Sequence, residues 1–283
     1  MYCQVNGVKL YFDVEGAGLV ADGAAMREKP TLVLLHGGPG FDHALFKPAF
    51  SALSEIAQII YYDHRGNGRS EGDDPKTWNL AQWGDDVKGL CDALGITRPI
   101  VLGHSFGGYV AQAYATRHPE HPAKLILANT TAHVEFEAML AAFARVGGAE
   151  AGQIARDYWT GPNPERRAKF LEICYPLYRA RPEVNPTPTR SILKSALSFH
   201  FNGPENEQGR LDYRSELAKV RCPTLVIGGE LDPVMPITWA ETIAASLPSH
   251  LVRYERFEGC GHVPWLDEQE RTFALLREFI LAG

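Results

Sequence analysis

The residues that decide the fold lie between positions 99 and 115. They are Pro99-Ile100-Val101-Leu102-Gly103-His104-Ser105-Phe106-Gly107-Gly108, followed by the helix-like stretch Tyr109-Val110-Ala111-Gln112-Ala113-Tyr114-Ala115. The pattern G-x-S-x-G between a strand and a helix is typical of a nucleophile elbow, a turn so tight that the serine is strained. Side chains at Gly103 and Gly107 would collide in such a turn. The pattern also arises in ordinary loops, but the flanking strand and helix favour Ser105 as a nucleophile.

A nucleophilic serine needs a base and an acid, and the chain supplies both in the order Ser, Asp, His. Asp232 follows the apolar run 224–227 and the turn 228–231, which predicts that it lies at the carboxyl edge of a parallel sheet. His262 lies in the glycine-rich segment 258–264. The sequence therefore predicts that His262 accepts the serine proton and that Asp232 fixes its tautomer and stabilises the imidazolium.

Other interpretations of these positions stay open. The dipeptide Asp232-Pro233 is also compatible with a simple turn, and His262 with a structural histidine before the helix-like residues 267–281. The alternative acids are three glutamates that also follow strand-like runs: Glu230, Glu135 and Glu137. Cys260 lies two residues before His262, but no second base accompanies it, so we expect a small packed side chain.

Acyl transfer creates an oxyanion, and backbone N–H groups must already point at it. The segment His36-Gly37-Gly38-Pro39-Gly40 follows the strand-like run 31–35 and contains glycines that let a backbone approach a substrate closely. We expect Gly38 and Phe106, the residue after the serine, to supply the two donors. A phosphate-binding loop is the competing interpretation, but no G-x-x-x-x-G-K-[ST] pattern is present.

Five segments together resemble the proline iminopeptidase family of α/β-hydrolases: HGGPG at 36–40, DHRGNGRS at 63–70, GHSFGG at 103–108, GGELD at 228–232 and GCGH at 259–262. The resemblance covers most of the chain except parts of its middle. It implies the roles of nucleophile, acid, base and oxyanion-hole donors for Ser105, Asp232, His262, Gly38 and Phe106. It also implies that 63–70 is a structural loop with Arg65 or Arg69 in an ion pair.

A sixth segment bears on the substrate. Residues 202–207, Asn-Gly-Pro-Glu-Asn-Glu, are similar to the N-G-P-N-E cap segment of iminopeptidases, in which the glutamate binds the free amino group of the substrate. The match needs a one-residue insertion, so Glu205 and Glu207 compete for this role, and a solvated acidic loop is the alternative. Pro233 occupies the place of a second amine-binding glutamate, which argues against a complete amine clamp.

Composition limits the function classes. The chain has 283 residues, 45% of them apolar and 22% charged, and a net charge of −6, which is ordinary for a globular enzyme and disfavours nonspecific nucleic-acid binding. No signal peptide or membrane span is evident, and the five cysteines are scattered. We therefore expect a cytoplasmic enzyme without nucleic-acid or membrane partners. The histidines form no metal-binding motif, so no metal or cofactor is predicted.

Strand-like and helix-like segments alternate along most of the chain, which predicts a mostly parallel sheet with helices on both faces, the α/β-hydrolase fold. A strand or hairpin is expected at 5–14 and an extended surface loop at 16–30. Strand-like runs are: 31–35, 58–62, 99–102, 124–128, 223–227 and 250–255. The predicted division is an α/β core from 1–130 and 214–283, interrupted by a helical cap at 131–213.

The predicted cap contains three candidate helices, at 135–146, 164–175 and 189–199. Its aromatic residues are expected partly in the cap core and partly in the wall of a substrate pocket: Phe136, Phe143, Tyr158, Trp159, Tyr175, Tyr178, Phe199 and Phe201. The leading hypothesis is a serine hydrolase that works through an acyl-enzyme and removes an N-terminal residue or cleaves a small amino-acid amide. The runner-up is a carboxylesterase or lactonase with small uncharged acyl substrates, and a catalytically silent binding protein is the third.

Overall fold

A computed structural model describes residues 1–181 and 191–282. The described residues form ten strands: β1 (Tyr2–Val5), β2 (Val8–Glu15), β3 (Leu19–Asp22), β4 (Ala25–Glu28), β5 (Thr31–Leu35), β6 (Gln58–Tyr62), β7 (Ile100–His104), β8 (Lys124–Ala128), β9 (Thr224–Gly229) and β10 (Val252–Phe257). Eight of them make one sheet in the order β1-β2-β6-β5-β7-β8-β9-β10. The pairs β1–β2 and β2–β6 are antiparallel and the others parallel, which confirms the predicted mostly parallel sheet.

Helices surround this sheet. The α-helices of the described residues are α1 (Leu80–Ala93), α2 (Phe106–Arg117), α3 (Phe136–Thr160), α4 (Pro164–Ile173), α5 (Ser195–Phe201), α6 (Ile237–Ser246), α7 (Pro264–Asp267) and α8 (Gln269–Leu281). Short 3-10 helices occur at His43–Phe46, Ala49–Leu53, Pro75–Thr77, Tyr175–Tyr178, Glu207–Arg210 and Glu216–Lys219.

Two hydrophobic cores lie on opposite faces of the sheet. Alternate residues of β5 divide between them, as the two-residue period of a strand requires. Val33 and Leu35 pack in the core that contains α1, α2 and α6, whereas Leu32 and Leu34 pack in the core that contains α8. Each fully buried aliphatic side chain of this kind contributes about 1.5–3 kcal/mol to folding. The sheet is therefore a rigid platform whose strand ends position the loops described below.

The N-terminal region agrees with the sequence prediction in one part and corrects it in another. Strands β1 and β2 form the expected hairpin through a turn at Asn6 and Gly7, both with positive φ. The prediction of an extended loop at 16–30 is wrong, because β3 and β4 pair there as a second hairpin. Its turn includes Gly23 at φ 61°, so the Asp22-Gly23 dipeptide was the overlooked signal.

The segment between β8 and β9 contributes no strand to the main sheet in its described part. It contains α3, α4 and α5, and a kink at Gly148 divides α3. The ends of the segment meet, since the N–H of Tyr213 donates to the carbonyl of Ala132 at 2.7 Å. We therefore propose residues 131–213 as a helical cap on the 1–130 and 214–283 core. The candidate helix 189–199 lies partly outside the described residues, whereas Ser195–Phe201 is helical.

Candidate active site

Ser105 lies in a sharp turn between β7 and α2. It has φ 56° and ψ −121°, and it is one of the few non-glycine residues with positive φ. Three hydrogen bonds hold the backbone of Ser105: its N–H donates to Ala128 O, and its carbonyl accepts from Gly108 N–H and from the Thr130 hydroxyl. The surrounding structure thus holds a strained residue at the end of a strand, which is typical of catalytic positions.

The glycines of the turn are required by close backbone contacts. A Cβ atom at Gly103 would lie 2.3 Å from Gly107 O, and one at Gly107 would lie 2.0 Å from Leu35 O. Both distances are far below any van der Waals contact, so the predicted steric need for these two glycines is confirmed. Gly108 packs equally closely, because a Cβ there would lie 2.4 Å from the Thr130 side chain.

The structure brings Asp232 and His262 into direct contact. His262 Nδ1–H donates to Asp232 Oδ2 at 2.7 Å, and both side chains are buried. This bond leaves Nε2 of the neutral imidazole without its proton and available as a base. In the described part of the chain, Ser105 Oγ forms no hydrogen bond. Catalytic hydrogen bonds, such as one between the serine hydroxyl and His262 Nε2, often tighten only when substrate is bound.

Both oxygens of the Asp232 carboxylate accept hydrogen bonds. Its Oδ1 accepts from the backbone N–H groups of Val234 and Met235, each at 2.9 Å, and its Oδ2 also accepts from Asn129 Nδ2 at 2.9 Å. Four hydrogen bonds, counting the one from His262, hold the carboxylate in one orientation.

Asn129 is a site residue that the sequence analysis missed. It follows β8 with φ 47°, and its side-chain amide donates both to Asp232 and to Gly261 O, the latter at 3.1 Å. It therefore connects the acid to the loop of His262. A polar residue at the carboxyl end of a central parallel strand, next to the elbow strand, was the available signal.

The loop that carries His262 is held by two further contacts that sequence reasoning did not predict. His104 Nε2–H donates to His262 O at 2.8 Å, and the His262 N–H donates to Tyr178 O at 2.6 Å. Burial lowers the pKa of His104 well below its usual value, and the neighbouring His262 lowers it further. His104 is therefore a neutral positioning group rather than a second base.

The predicted oxyanion loop lies beside the serine. A Cβ atom at Gly37 would be 3.3 Å from Ser105 Cβ, and Gly38 has φ 135°, a conformation that favours glycine. Phe106 is the first residue of α2, so its N–H is one of the amides without a partner inside the helix. Within the described part of the chain, neither Gly38 N nor Phe106 N donates a hydrogen bond.

Residues 63–70 are structural, as the resemblance implied. Arg65 forms a buried bidentate pair with Asp86 at 2.7 and 2.8 Å, and Arg69 lies 3.6 Å from Asp42. Burial acts to raise the pKa of Asp63, but the hydrogen bond from His43 and the nearby imidazoles lower it overall. This charged loop is therefore satisfied internally rather than directed at a substrate.

A pocket of about 980 Å³, including space open to solvent, lies above Ser105 and His262. Residues of the proposed cap form one wall, and four of the aromatic side chains named from the sequence line it: Tyr158, Trp159, Tyr175 and Tyr178. The other four lie in or against the hydrophobic core: Phe136, Phe143, Phe199 and Phe201. The pocket wall is mainly apolar, which suits an acyl group or another small apolar substrate part.

Neither predicted amine-binding glutamate is part of this pocket. Glu205 is exposed, and Glu207 accepts a hydrogen bond from the N–H of Leu80, at the first residue of α1, with both carboxylate oxygens at 3.1 and 3.3 Å. Burial raises the pKa of Glu207. The neighbouring Gln208 lines the serine pocket instead. The geometry thus gives no support to amine binding by Glu205 or Glu207.

The alternative acids are also occupied elsewhere. Glu230 pairs with Arg256 at 2.6 Å, Glu137 pairs with Arg156 at 2.7 Å, and Glu135 is exposed at the start of α3. None of them contacts His262 in the described structure.

Thiol and metal chemistry find no support at this site. Cys260 is fully buried, and burial raises the pKa of its thiol to about 12. Among the residues that the structure describes, no cluster of histidine, cysteine and acidic side chains suits a metal ion. No helix in the described ranges is long and apolar enough to cross a membrane.

Comparison with known proteins gives the family. The sequence matches the α/β-hydrolase fold family over residues 30–269. The chain belongs to the α/β-hydrolase family. Within it, the chain is 30% identical over 275 residues to a proline iminopeptidase from Lactobacillus helveticus (strain DPC 4571), covering 89% of this chain and 90% of that one. The predicted resemblance to proline iminopeptidases is therefore confirmed.

Two further relatives of this α/β-hydrolase have other names. A putative carbamate hydrolase from Caulobacter sp. (strain K31) is 28% identical over 242 residues, which covers 81% of this chain and 83% of that one. The structure of an esterase from Exiguobacterium antarcticum is similar with a TM-score of 0.72 at 22% identity, covering 99% of both chains. The last likeness concerns the fold alone. Membership in a family of hydrolases establishes this chain as a hydrolase.

Proposed function

We propose that this enzyme is a serine hydrolase that cleaves ester or lactone bonds through an acyl-enzyme. The observation that carries the proposal is the pair His262–Asp232, joined at 2.7 Å beneath the same apolar pocket that contains the strained Ser105. A nucleophile, an oriented base and a partly apolar cavity are the components that acyl transfer needs.

In the proposed mechanism, Ser105 Oγ attacks the acyl carbon while His262 Nε2 takes the hydroxyl proton. The N–H groups of Gly38 and Phe106 stabilise the resulting oxyanion. His262 then gives its proton to the leaving oxygen, and the alcohol of an ester departs, whereas the alcohol of an opened lactone stays attached to the acyl chain. A water molecule attacks the acyl carbon as His262 accepts its proton, and the collapse of this second intermediate releases the acid and returns the proton to Ser105.

The second candidate function is proline-iminopeptidase-like cleavage of an N-terminal residue or small amino-acid amide. The 30% identity to the Lactobacillus helveticus enzyme over 89% of the chain favours it. The pocket favours the esterase or lactonase, because no acidic side chain of the described residues lines it to pair with a substrate ammonium. Pro233 in place of a second glutamate points the same way.

A matched substrate panel tests the proposal: a free-amine prolyl amide, its N-blocked form, short-chain acyl esters and acyl lactones. We expect the esters or lactones to have the highest kcat/KM and the blocked and free amides to differ little. A strong preference for the free amine would instead support the peptidase. A fluorophosphonate probe should label wild type but not Ser105→Ala, and equal labelling of both would contradict a serine mechanism.

We also propose that the enzyme acts in a reducing compartment, the cytoplasm. All five cysteines are unpaired, and four of them are buried. Unpaired cysteines are the rule where thiols are kept reduced.

A further inference from the structure

One cation of the proposed cap faces the substrate pocket. Helix α4 places Arg167, Phe170 and Leu171 on one face, because residues three and four apart are neighbours on a helix. All three line the pocket above Ser105, whereas Arg166 and Lys169 on the same helix do not. Arg167 is only partly exposed, while Arg166 and Lys169 are exposed. The helix therefore directs a single guanidinium into a mainly apolar cavity.

Arg167 shares the lining of that cavity with three polar side chains. Tyr158, Ser198 and Asn202 also line the pocket, and all three are buried. Burial raises the pKa of Tyr158, while hydrogen bonding to Asn202 and the charge of Arg167 act in the opposite direction. All of these side chains line the same pocket as Arg167. The cavity thus combines a mainly apolar wall with one guanidinium and several hydrogen-bonding side chains.

No carboxylate of the described structure neutralises this cation. The salt bridges of residues 1–181 and 191–282 include none to Arg167, although Lys169 on the same helix pairs with Glu165 at 3.8 Å. The pocket wall has no aspartate or glutamate in those ranges. Asp232 lies behind His262 and its oxygens already accept four hydrogen bonds. A guanidinium held among aromatic rings without a counter-charge favours the entry of an anion.

We propose that Arg167 binds a carboxylate of the substrate, so that the enzyme prefers esters or lactones that carry a second, ionised acid group. The planar fork of a guanidinium matches a carboxylate with two parallel hydrogen bonds. The hydroxyl of Tyr158 and the amide of Asn202 supply further donors in the same pocket. The scissile carbonyl then lies at Ser105, and the apolar middle of the pocket contacts the connecting carbons.

This inference rests on the proposed serine hydrolase function, but binding of a carboxylate by Arg167 does not require that the cleaved bond be an ester. A dipeptide substrate also carries a carboxylate, which lies on its leaving part. A free amine at the cap end would instead be repelled by Arg167. The carboxylate can therefore lie on the acyl part or on the leaving part, and the experiment separates the two.

The test uses two pairs of esters with purified full-length enzyme. The first pair is the mono-4-nitrophenyl ester of pimelic acid and its ω-carboxamide, with the charge on the acyl part. The second pair is 4-acetoxybenzoate and 4-acetoxybenzamide, with the charge on the leaving part. In wild type we expect one acid to exceed its amide in kcat/KM by on the order of 10-fold to 100-fold, as a charge-assisted hydrogen bond provides.

The variants are Arg167→Met, Arg167→Lys and, as the matched control, Lys169→Met. Arg167→Met should abolish the preference for the acid, and Arg167→Lys should keep part of it, because lysine retains the charge without the fork. Lys169→Met removes the same charge from an exposed position on the same helix. It should leave both kcat/KM and the preference as in wild type.

Calorimetric titration with pimelate and 4-hydroxybenzoate supplies a readout that needs no turnover. Wild type and Ser105→Ala should bind one of these acids more tightly than its amide, and Arg167→Met should not. Equal kcat/KM for acids and amides, or a preference that persists in Arg167→Met, would overturn the role of Arg167. Failure of the proposed serine mechanism would give a different result: wild type and Ser105→Ala would hydrolyse the neutral esters at equal rates.

Discussion

The backbone N–H of His262 donates a hydrogen bond to the carbonyl of Tyr178 at 2.6 Å, and the Tyr178 ring packs edge-on against the imidazole with centroids 4.9 Å apart. Tyr178 belongs to the proposed cap and lines the substrate pocket. The segment that shapes the pocket therefore also holds the loop of the candidate base. Substitutions in this part of the cap are expected to affect chemistry as well as substrate choice.

The first prediction concerns the proposed triad. Ser105→Ala should lower kcat by about 10⁶-fold, and His262→Ala by a similar factor, because the two groups act as one unit. Asp232→Asn should cost on the order of 10⁴-fold through the wrong imidazole tautomer. Steady-state kinetics on a short-chain ester measures all three.

The control for the triad variants is a measurement of their free energy of unfolding. Ser105→Ala removes only a hydroxyl for which the described structure shows no hydrogen bond, so its free energy of unfolding should equal that of wild type within about 0.5 kcal/mol. Urea denaturation followed by circular dichroism checks this. A folded Ser105→Ala protein with near-normal kcat would contradict the mechanism.

The second prediction concerns the buried salt bridge beside the base. Arg179 Nε donates to Asp267 Oδ1 at 2.9 Å, and Asp267 Oδ2 accepts from the N–H groups of Ala180 and Gly261. Asp267→Asn removes the charge opposite a buried guanidinium, which typically costs about 3–5 kcal/mol. Because Gly261 precedes His262, kcat should fall more than KM rises.

A double-mutant cycle separates this pair from general damage. Arg179→Met combined with Asp267→Asn removes both charges and keeps an amide oxygen that can accept from a backbone N–H group, so its free energy of unfolding should be closer to that of wild type than that of Asp267→Asn alone. Additive losses in the double variant would mean that the two residues do not act as a pair. Urea denaturation and ester kinetics are measured on the same preparations.

Local glycine and strand patterns predicted most of this site. Ser105 was predicted from the G-x-S-x-G pattern between a strand and a helix, and in the structure Cβ atoms at the two glycines would lie only 2.0–2.3 Å from backbone oxygens. Asp232 and His262 followed from their order and from the strands before them. These signals are local, since each motif occupies a few consecutive residues at the end of one strand.

The remaining groups act through distant contacts that no local pattern encodes. Asn129 donates a hydrogen bond to Asp232, which lies 103 positions away in the sequence, and His104 donates one to the His262 carbonyl, 158 positions away. Arg167 could not be predicted as a pocket residue, because only the packing of α4 over the pocket brings it there. Glu207 shows the reverse case. The resemblance of its segment predicted an amine ligand, whereas in the structure its carboxylate accepts a hydrogen bond from the first N–H of α1.

The third prediction separates those two roles of Glu207. Glu207→Ala removes an acceptor at the N-terminus of α1 and should lower the free energy of unfolding by about 1 kcal/mol. Glu205→Ala is the control, because Glu205 is exposed and only its backbone carbonyl accepts a bond, from Arg210. It should be neutral within about 0.5 kcal/mol. Neither variant should change the ratio of rates on free and N-blocked prolyl amides, and a change confined to Glu207→Ala would restore amine binding.

The last prediction concerns acid stability. Burial lowers the pKa of three histidines, His36, His64 and His104, below the usual value of 6.5. The folded protein therefore keeps them neutral, whereas the unfolded chain binds protons as the pH falls through about 6.5. The unfolded state then holds more protons, so the free energy of unfolding falls by up to about 1.4 kcal/mol per pH unit for each histidine until the lower folded pKa is reached. Urea denaturation at pH 7.5, 6.5 and 5.5 measures this slope above the range in which most carboxylates titrate. His104→Gln keeps a donor for the His262 carbonyl and should reduce the slope, whereas His250→Gln, at an exposed position, should not. A stability that is constant from pH 7.5 to 5.5 would show that the buried imidazoles do not set the acid limit of this fold.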